Sequence, residues 1–358
     1  LPMKSVRVHA FTERPEDIRV DEVPLPEPGP GQVRVRMLMC PVHPSDFHFV
    51  RGIYYRALER IIWNQAGDGG IFLDSNRSND CPVPPYALGA EGVGIVDACG
   101  SGFLAKRLKG KRVAVAGAPP NGVWQEFAVV EAKRAVPVSD ELPDEQAAMY
   151  FVNPISAYVM VREVLKVPKD SWLLITAAGS ALGKSVVRMG KLFGFRTICV
   201  VRSDANTAEL NRLGADAVIE TNKQDMITEV ARITNNKGVG AAMDCVGGKL
   251  TADVVRCLGL NGRLLVYGTM ADSPVEVAVR DLMMPLAGIE GFYLGNWMAQ
   301  QSPISLLGVL RKVKQLTTQG VFHTEVSEVF PIDRAADAVA ASLQSGRTGK
   351  VMLRIGGK

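Results

Sequence analysis

The sequence lacks the features that mark nucleic-acid-binding and membrane-spanning proteins. It has no run of five or more like charges, and its net charge is only +4. A nucleic-acid-binding domain ordinarily carries a basic patch or stripe, so we predict no nucleic-acid partner. No apolar run reaches the roughly 18 residues of a membrane-spanning helix, and the N-terminus shows no secretory signal pattern. We therefore predict no membrane partner.

Cysteine is scarce and forms no C-x-x-C pair. Several of the six cysteines lie in apolar, strand-like runs, where a free thiol packs as a small hydrophobic group. This usage predicts a reducing compartment, with the cytoplasm as the expected location. The six cysteines are Cys40, Cys81, Cys99, Cys199, Cys245 and Cys257.

The chain changes character near residue 153. Before this point, short Val-rich runs separated by Pro and Gly turns predict a β-rich domain. After it, strand and helix patterns alternate, which predicts a doubly wound parallel sheet. The length of 358 residues suits two domains of an α/β protein. We assign residues 1–153 and 299–358 to the β-rich domain and residues 154–298 to the parallel-sheet domain.

Residues 171–202 have the pattern of one nucleotide-binding unit. An apolar run at 171–176 leads into a loop of small residues at 177–183, a helix that closes at Gly194, and a second strand that ends on Arg202. Such a unit places backbone N–H groups and a helix N-terminus against a pyrophosphate. Ala177 and Ala181 stand where glycine is common, so an ordinary turn without a ligand is the alternative. We favour the dinucleotide site because a strand precedes the loop and a helix follows it.

Arg202 predicts which dinucleotide is bound. An acidic residue about 20 positions after the loop takes the ribose 2′-hydroxyl of NAD, whereas an Arg accommodates the 2′-phosphate of NADP. Arg202 stands 19 residues past Gly183, with Ser203 beside it. Its planar fork can donate two parallel hydrogen bonds to a phosphate. We predict NADPH, although Asp204 could serve NAD instead.

Several short motifs follow one another in a characteristic order along the chain. Through these motifs the sequence resembles the medium-chain dehydrogenase/reductase superfamily. The resemblance is closest to the mitochondrial-type trans-2-enoyl thioester reductases, with quinone oxidoreductases as near relatives. It implies a GroES-like β-rich domain followed by a Rossmann domain. The motifs are Pro44-Ser45-Asp46, Gly52-Ile53-Tyr54, Gly89-Ala90-Glu91, Asn153-Pro154-Ile155-Ser156, Val200-Val201-Arg202, Asp244-Cys245-Val246-Gly247-Gly248, Tyr267-Gly268-Thr269-Met270, Gly291-Phe292-Tyr293-Leu294 with Trp297, and Gly349-Lys350.

The same resemblance predicts that no zinc takes part. Alcohol dehydrogenases of this superfamily hold zinc with a Cys at the position of Cys40 and a His at the position of Ala90, and alanine cannot bind a metal. A catalytic zinc needs three protein ligands, and the four-cysteine structural lobe is also missing. Cys40, His43 and His48 cluster in sequence, but we interpret them as a buried thiol and two loop histidines. We predict no metal site.

The resemblance implies reduction of the C=C bond of an α,β-unsaturated thioester or related activated alkene. Hydride would reach the β-carbon, and Tyr54 would assist protonation, because a phenolic hydroxyl can donate to a developing oxyanion. Tyr55 is the alternative donor. An insert at residues 55–88 directly follows Tyr54 and is predicted to reshape the substrate pocket. A quinone or enone reductase, and a non-catalytic nucleotide-binding or redox-sensing protein, are the alternative functions.

The resemblance also assigns residues to the cofactor and a partner to the protein. The partner is a second copy of the chain, joined through an edge strand at 291–294. Glu91, in a turn of the first domain, would be structural. The expected cofactor contacts are Asn153 and Ser156 near the nicotinamide; Ser180, Ala181, Leu182 and Gly183 at the pyrophosphate; Arg202, Ser203 and Asp204 at the adenosine phosphate; and Tyr267, Gly268, Thr269, Met270, Phe292, Tyr293, Leu294, Gly295 and Lys350 toward the nicotinamide end.

Overall fold

Two compact units divide the chain. The computed structural model describes residues 2–54, 64–65, 71–72, 83–271, 273–344 and 346–356. The first unit consists of Leu1–Val152 with Thr324–Lys358, and the second of Asn153–His323. Residues 299–323, which the sequence assigns to the first domain, thus lie in the second unit. The reason is local packing, since the Arg188 side chain donates hydrogen bonds to the carbonyl groups of Val321 and His323.

The first unit is rich in strands, as predicted. Its strands are β1 (Pro2–Val8), β2 (Arg19–Pro24), β3 (Gln32–Pro41), β4 (Asn64–Gln65), β5 (Ile71–Phe72), β6 (Tyr86–Ala87), β7 (Glu91–Cys99), β8 (Arg112–Ala116), β9 (Phe127–Glu131), β10 (Ala135–Pro137), β17 (Val326–Pro331) and β18 (Lys350–Arg354). Its helices are α1 (Pro44–Arg51), α2 (Phe103–Leu108), α3 (Asp144–Ala148) and α12 (Ala335–Ser342).

The late strand β18 inserts between β3 and β17 in the largest sheet of the first unit. That sheet has the order β10-β8-β7-β3-β18-β17, and β9 pairs with β3. β18 runs antiparallel to β3 and parallel to β17. A smaller sheet has the order β2-β1-β6. Three consecutive apolar residues of β18, Val351, Met352 and Leu353, are fully buried there.

Helices and strands alternate in the second unit. The strands are β11 (Trp172–Ile175), β12 (Arg196–Val201), β13 (Ala217–Glu220), β14 (Val239–Asp244), β15 (Leu258–Val266) and β16 (Gly288–Gly291). The helices are α4 (Val152–Tyr158), which continues as a π-helix over Val159–Val164, α5 (Ala181–Phe193), α6 (Thr207–Leu213), α7 (Met226–Ile233), α8 (Gly248–Arg256), α9 (Val279–Met283), α10 (Leu294–Ala299) and α11 (Pro303–Thr318).

The second unit has the strand order of a dinucleotide-binding sheet. Its six strands are all parallel, in the order β13-β12-β11-β14-β15-β16. In chain order this is 3-2-1-4-5-6, the arrangement of the Rossmann fold. The predicted fold is therefore confirmed. In such sheets, ligands bind beyond the carboxyl ends of the strands where the order reverses, which here is between β11 and β14.

The edge strand differs from its predicted bounds, and two short strands lie within the insert. The predicted edge strand at 291–294 is wrong in its bounds, because β16 ends at Gly291 and Leu294 already begins α10. Within the insert at 55–88, β4 and β5 pair antiparallel. Tyr55 and most of the insert lie outside the described residues. Among the helices that the structure describes, none is both long and apolar enough to cross a membrane.

Gly89 provides a test of how tightly the first unit is packed. Its φ is +105°, and an added Cβ would lie 2.3 Å from Cδ1 of Trp124, whose side chain is fully buried. We expect Gly89→Ala to lower the free energy of unfolding by about 2–4 kcal/mol in urea titration. Gly110 is the matched control, since its φ is +75° with open space around it, and Gly110→Ala should cost only about 1–2 kcal/mol. Equal losses for the two variants would contradict the packing argument.

Candidate functional site

The loop between β11 and α5 presents a helix N-terminus at the point where the strand order reverses. Ser180 is the N-cap of α5, and its hydroxyl accepts a hydrogen bond from the Gly183 N–H at 3.1 Å. The first N–H groups of a helix have no partner within the helix, so those of Ala181 and Leu182 remain at this end. Together with the positive end of the helix dipole, they suit an anion such as a pyrophosphate.

Close backbone packing explains why the loop needs small residues. A Cβ on Gly183 would lie 2.5 Å from the Ala178 carbonyl oxygen, and one on Gly179 would lie 2.6 Å from the Asn206 side chain. Ala177 has a φ of +47°, in the left-handed region that favours glycine. The loop therefore keeps the backbone shape of a glycine-rich turn even where alanine replaces glycine.

The end of β12 carries the residues predicted for the adenosine phosphate. Arg202 is exposed, and within the described part of the chain its guanidinium has no hydrogen bond or ion pair. Asp204 differs, because it forms a 3.0 Å ion pair with Lys223, which lowers the pKa of its carboxyl group. Sequence reasoning missed Asn206, whose buried side-chain oxygen Oδ1 has no hydrogen-bond partner among the described residues.

The carboxylate of Asp244 ties together the ends of the two strands beside the switch point. It accepts hydrogen bonds from the hydroxyl groups of Thr176, after β11, and Thr251, on α8. It also accepts from the backbone N–H groups of Val246 at 3.2 Å and Gly247 at 3.1 Å. Asp244 therefore shapes the loop after β14. Its motif marked it in the sequence, but nothing local predicted these partners.

Tyr267 and its neighbours continue this carboxyl edge after β15. The Tyr267 hydroxyl is buried and lacks a hydrogen-bond partner in the described residues, and burial raises the pKa of the group. Gly268 is needed because a Cβ there would lie 2.8 Å from that of Cys245. The Met270 N–H donates to the Cys245 carbonyl at 3.1 Å, and Thr269 lies between these residues. The predicted stretch 267–270 is thus packed on the loop after β14.

The remaining predicted contacts lie beyond β16 and on α4. The Phe292 N–H donates to the Val266 carbonyl at 2.8 Å, which carries the chain past the edge strand. Tyr293 is the N-cap of α10, which contains Leu294 and Gly295. Asn153 and Ser156 lie on α4, Asn153 half-buried and Ser156 buried.

Tyr54 lies just after α1 in the first unit. The helix begins with Pro44 and ends at Gly52, whose φ of +69° turns the chain. The Tyr54 ring then packs on two side chains of α1, with ring centroids 5.6 Å from His48 and 4.8 Å from Phe49. The structure therefore gives Tyr54 a fixed aromatic environment, and its catalytic role stays a prediction.

A cluster of buried ionisable groups lies in the first unit, and sequence analysis did not predict it. The Lys350 ammonium lies 2.8 Å from Nδ1 of His43, and Nε2 of His43 lies 2.7 Å from Oε1 of Glu91. Asp46 accepts a 2.7 Å hydrogen bond from the His43 backbone N–H. Lys350, predicted to contact the cofactor, thus has its ammonium group against His43. In the sequence, only the motif positions of Asp46, Glu91 and Lys350 pointed to this region.

Burial shifts the pKa values of Asp46, Lys350 and His43. Burial raises the pKa of Asp46 to about 7, against the hydrogen bond from His43. It lowers the pKa of Lys350 to about 8, despite the attraction of Glu91 and Asp46. Burial and the Lys350 charge lower the pKa of His43. At neutral pH the cluster therefore contains an ammonium and a neutral imidazole.

Metal ligation finds no support in the part of the chain that the structure describes. No group of three His, Cys, Asp or Glu side chains there could hold a metal ion. Cys40 is a buried free thiol, and burial, with Asp46 and Glu91 nearby, raises its pKa well above the ordinary value. His43 is engaged by Glu91 and Lys350. The zinc-independent chemistry inferred from Ala90 stays a prediction.

Two family models match the chain, one in each unit. The model described as the alcohol dehydrogenase GroES-like domain matches residues 29–140. The model described as zinc-binding dehydrogenase matches residues 181–308. The two matched segments together span more than half of the 358 residues.

Curated relatives and solved structures extend this similarity to the whole chain. The mitochondrial enoyl-[acyl-carrier-protein] reductase of Bos taurus is 28% identical over 333 residues, covering 91% of this chain and 81% of its own. The Homo sapiens protein of the same name is 28% identical over 330 residues, with 90% and 81% covered. A Bacillus thuringiensis protein assigned as an NADPH:quinone reductase superposes with a TM-score of 0.86 at 28% identity over 99% of both chains. Escherichia coli quinone oxidoreductase, complexed with NADPH, shares the fold with a TM-score of 0.83 at 21% identity, over 98% of this chain and 99% of its own.

Proposed function

Because the chain belongs to the medium-chain dehydrogenase/reductase superfamily, we propose that this oxidoreductase uses NADPH to reduce the C=C bond of an α,β-unsaturated thioester. The observation that carries the proposal is the similarity to enoyl-[acyl-carrier-protein] reductases over about nine tenths of the chain. A related activated alkene is the broader substrate class. A cytoplasmic location stays a prediction from the cysteines, and the curated relatives named above are mitochondrial.

The second unit fits a dinucleotide at the carboxyl edge of its sheet. The N-terminus of α5 supplies N–H donors for a pyrophosphate, and Gly179 and Gly183 keep side-chain atoms out of the loop. Two buried polar atoms, Oδ1 of Asn206 and the Tyr267 hydroxyl, lack partners within the described residues. Buried polar groups are nearly always hydrogen-bonded, so unpaired ones at this edge are suited to contact a polar ligand.

The charges at the end of β12 favour NADPH over NADH. Arg202 is exposed and, among the described side chains, has no acidic partner, so its guanidinium can bind a 2′-phosphate bidentately. Asp204 is paired with Lys223, which partly offsets the negative charge that would repel that phosphate. Ser203 lies between the two and could add a hydroxyl donor.

The reaction divides between hydride transfer and protonation. Bound NADPH would supply the hydride to the β-carbon. The π-electron pair of the alkene then moves toward the thioester carbonyl, whose oxygen becomes negatively charged. In this proposal Tyr54 donates a hydrogen bond or a proton to that oxygen, and the α-carbon takes up a proton to complete the reduction. Because Tyr54 packs on His48 and Phe49, its ring is held for this role.

Quinone or enone reduction is the second candidate. The specific observation in its favour is the Bacillus thuringiensis structure, which matches 99% of this chain and is assigned as an NADPH:quinone reductase. Both reactions need the same cofactor site, so the acceptor alone separates them. A non-catalytic nucleotide-binding protein would bind NADPH without consuming it.

Apolar exposure near the edge strand supports a homodimer. β16 pairs only with β15 among the described strands, so its outer edge is open. Met283, Met284 and Leu286 just before it are 61%, 73% and 67% exposed, and Ile289 within it is 41% exposed. Contiguous exposed apolar residues mark protein contact sites, and open strand edges invite pairing. We infer that a second copy of the chain covers this face.

Substrate tests decide the reaction. We expect crotonyl-CoA to oxidise NADPH faster than a benzoquinone or a simple enone at equal concentration, because the relatives that match about nine tenths of this chain are enoyl reductases. Tyr54→Phe should lower kcat by roughly a hundredfold with little change in NADPH affinity. The measurements are the loss of NADPH absorbance and a fluorescence titration of NADPH. A faster quinone would favour the second candidate, and unchanged kcat in Tyr54→Phe would remove that residue from the mechanism.

Arg202 should set the cofactor preference. We expect Arg202→Ala to weaken NADPH binding by roughly tenfold or more, because a charge-assisted bidentate bond is lost, while NADH binding stays nearly the same. Arg212→Ala, which removes another exposed arginine on α6, is the matched control. Isothermal titration measures both affinities. Equal losses for NADPH and NADH would mean that another group, such as Asp204, sets the preference.

The dimer can be tested by placing charge on the exposed face. We expect Met284→Glu combined with Ile289→Glu to convert dimers to monomers, since buried like charges oppose association. Leu192→Glu, on α5 and 50% exposed, should leave the dimer intact. Sedimentation velocity reports the mass. A wild-type protein that sediments as a monomer would contradict the assignment.

A further inference from the structure

Four buried ionisable side chains converge in the first unit and have no part in the reaction described so far. His43, Asp46, Glu91 and Lys350 are 3%, 2%, 0% and 7% exposed. They come from the N-cap and first turn of α1 and from the first residues of β7 and β18. Burying charged groups is costly unless they are paired and hydrogen-bonded, so the partners of each group show what the cluster holds in place.

The hydrogen bonds from Lys350 through His43 to Glu91 all donate toward Glu91. An ammonium group can only donate, so Lys350 donates to Nδ1 of His43 at 2.8 Å. The imidazole then carries its proton on Nε2, which donates to Oε1 of Glu91 at 2.7 Å. His43 therefore links the Lys350 charge to the Glu91 carboxylate.

The second oxygen of Glu91 binds the main chain just before α4. Oε2 accepts the N–H groups of Phe151 at 2.8 Å and Val152 at 3.0 Å. These are donors at a helix start, where a negative charge is favourable. The next residue is Asn153, which the family resemblance assigns to the nicotinamide. The chain Lys350–His43–Glu91 thus ends on the peptides that lead into this residue.

We propose that His43 is a positioning residue, which fixes Glu91 and thereby holds the Phe151 and Val152 peptides so that Asn153 meets the nicotinamide in the orientation for hydride transfer. The proposal rests on the proposed reductase function. The Asp46 carboxylate binds the His43 backbone N–H, and the nearby Cys40 thiol donates to the Val123 carbonyl. Lys350 contacts Nδ1 and Glu91 contacts Nε2, so within the described residues the His43 ring is the hydrogen-bonded link between these two side chains.

Three substitutions at His43 separate bridging from mere packing. His43→Leu removes both ring nitrogens, and His43→Asn keeps a polar group that is too short to span Lys350 and Glu91. His43→Gln can accept from Lys350 through its oxygen and donate to Glu91 through its nitrogen. Val339→Ala, at a fully buried core position of the same unit, controls for a general loss of stability.

The first readout is amide hydrogen exchange at Phe151 and Val152, resolved by NMR or by fragmentation. We expect faster exchange at these two amides in His43→Leu and His43→Asn, recovery in His43→Gln, and no change in Val339→Ala. Should the leucine variant fail to fold, the asparagine variant carries the comparison. Unchanged exchange at both amides in His43→Asn would overturn the proposal.

The second readout is steady-state kinetics with the best acceptor. We expect kcat to fall roughly tenfold to a hundredfold in His43→Asn, because misplaced reacting groups lose near-attack geometry, while the Kd for NADPH changes little. His43→Gln should restore most of kcat. Faster exchange with kcat equal to that of Val339→Ala would overturn the role in hydride transfer. If no acceptor is reduced at all, the proposed function fails, whereas the exchange measurement still decides whether His43 holds the peptides.

Discussion

Compensation of the buried Glu91 carboxylate is the constraint on which the first unit depends. A fully buried carboxylate must be hydrogen-bonded and balanced by a positive group. Glu91 meets this need with segments far apart in the chain: His43 at the start of α1, Lys350 at the start of β18, and the backbone N–H groups of Phe151 and Val152. One side chain therefore couples the central sheet to the peptides that lead into the second unit.

The second unit follows a related principle, with Asp244 in the organising position. Its carboxylate accepts hydrogen bonds from two threonine hydroxyls and two backbone N–H groups. These bonds fix the shape of the loop after β14. The neighbouring loop before α5 leaves helix N–H groups unused, and Asn206 and Tyr267 each keep an unpaired buried atom among the described residues. Hydrogen-bonded and unpaired polar groups thus both follow strands of this sheet, as expected of a site with a few polar groups placed to contact a ligand.

Local pattern was sufficient to predict the β11–α5–β12 unit, because the period of apolar residues and the position of Gly194 are local signals. Local pattern was insufficient to predict contacts between residues that lie far apart in the chain. Lys350 and His43 are separated by 307 residues, so their contact leaves no trace in either local pattern. The edge strand was predicted too late because Phe292 and Tyr293, which follow β16, are residue types typical of strands although they lead into α10. α11 was placed in the wrong unit because an amphipathic helix does not indicate which sheet it covers.

The position of β18 has a consequence for biosynthesis. This strand lies between β3 and β17 in the central sheet, yet it follows the whole of the second unit in chain order. Domains generally fold as units during translation, beginning with the segment that emerges first. Until β18 is synthesised, the first unit lacks the strand that pairs with β3 and the Lys350 ammonium that bonds His43, while the second unit can already complete its six-stranded sheet. Translation therefore supplies β18, which the central sheet of the first unit needs, only after the whole second unit has been made.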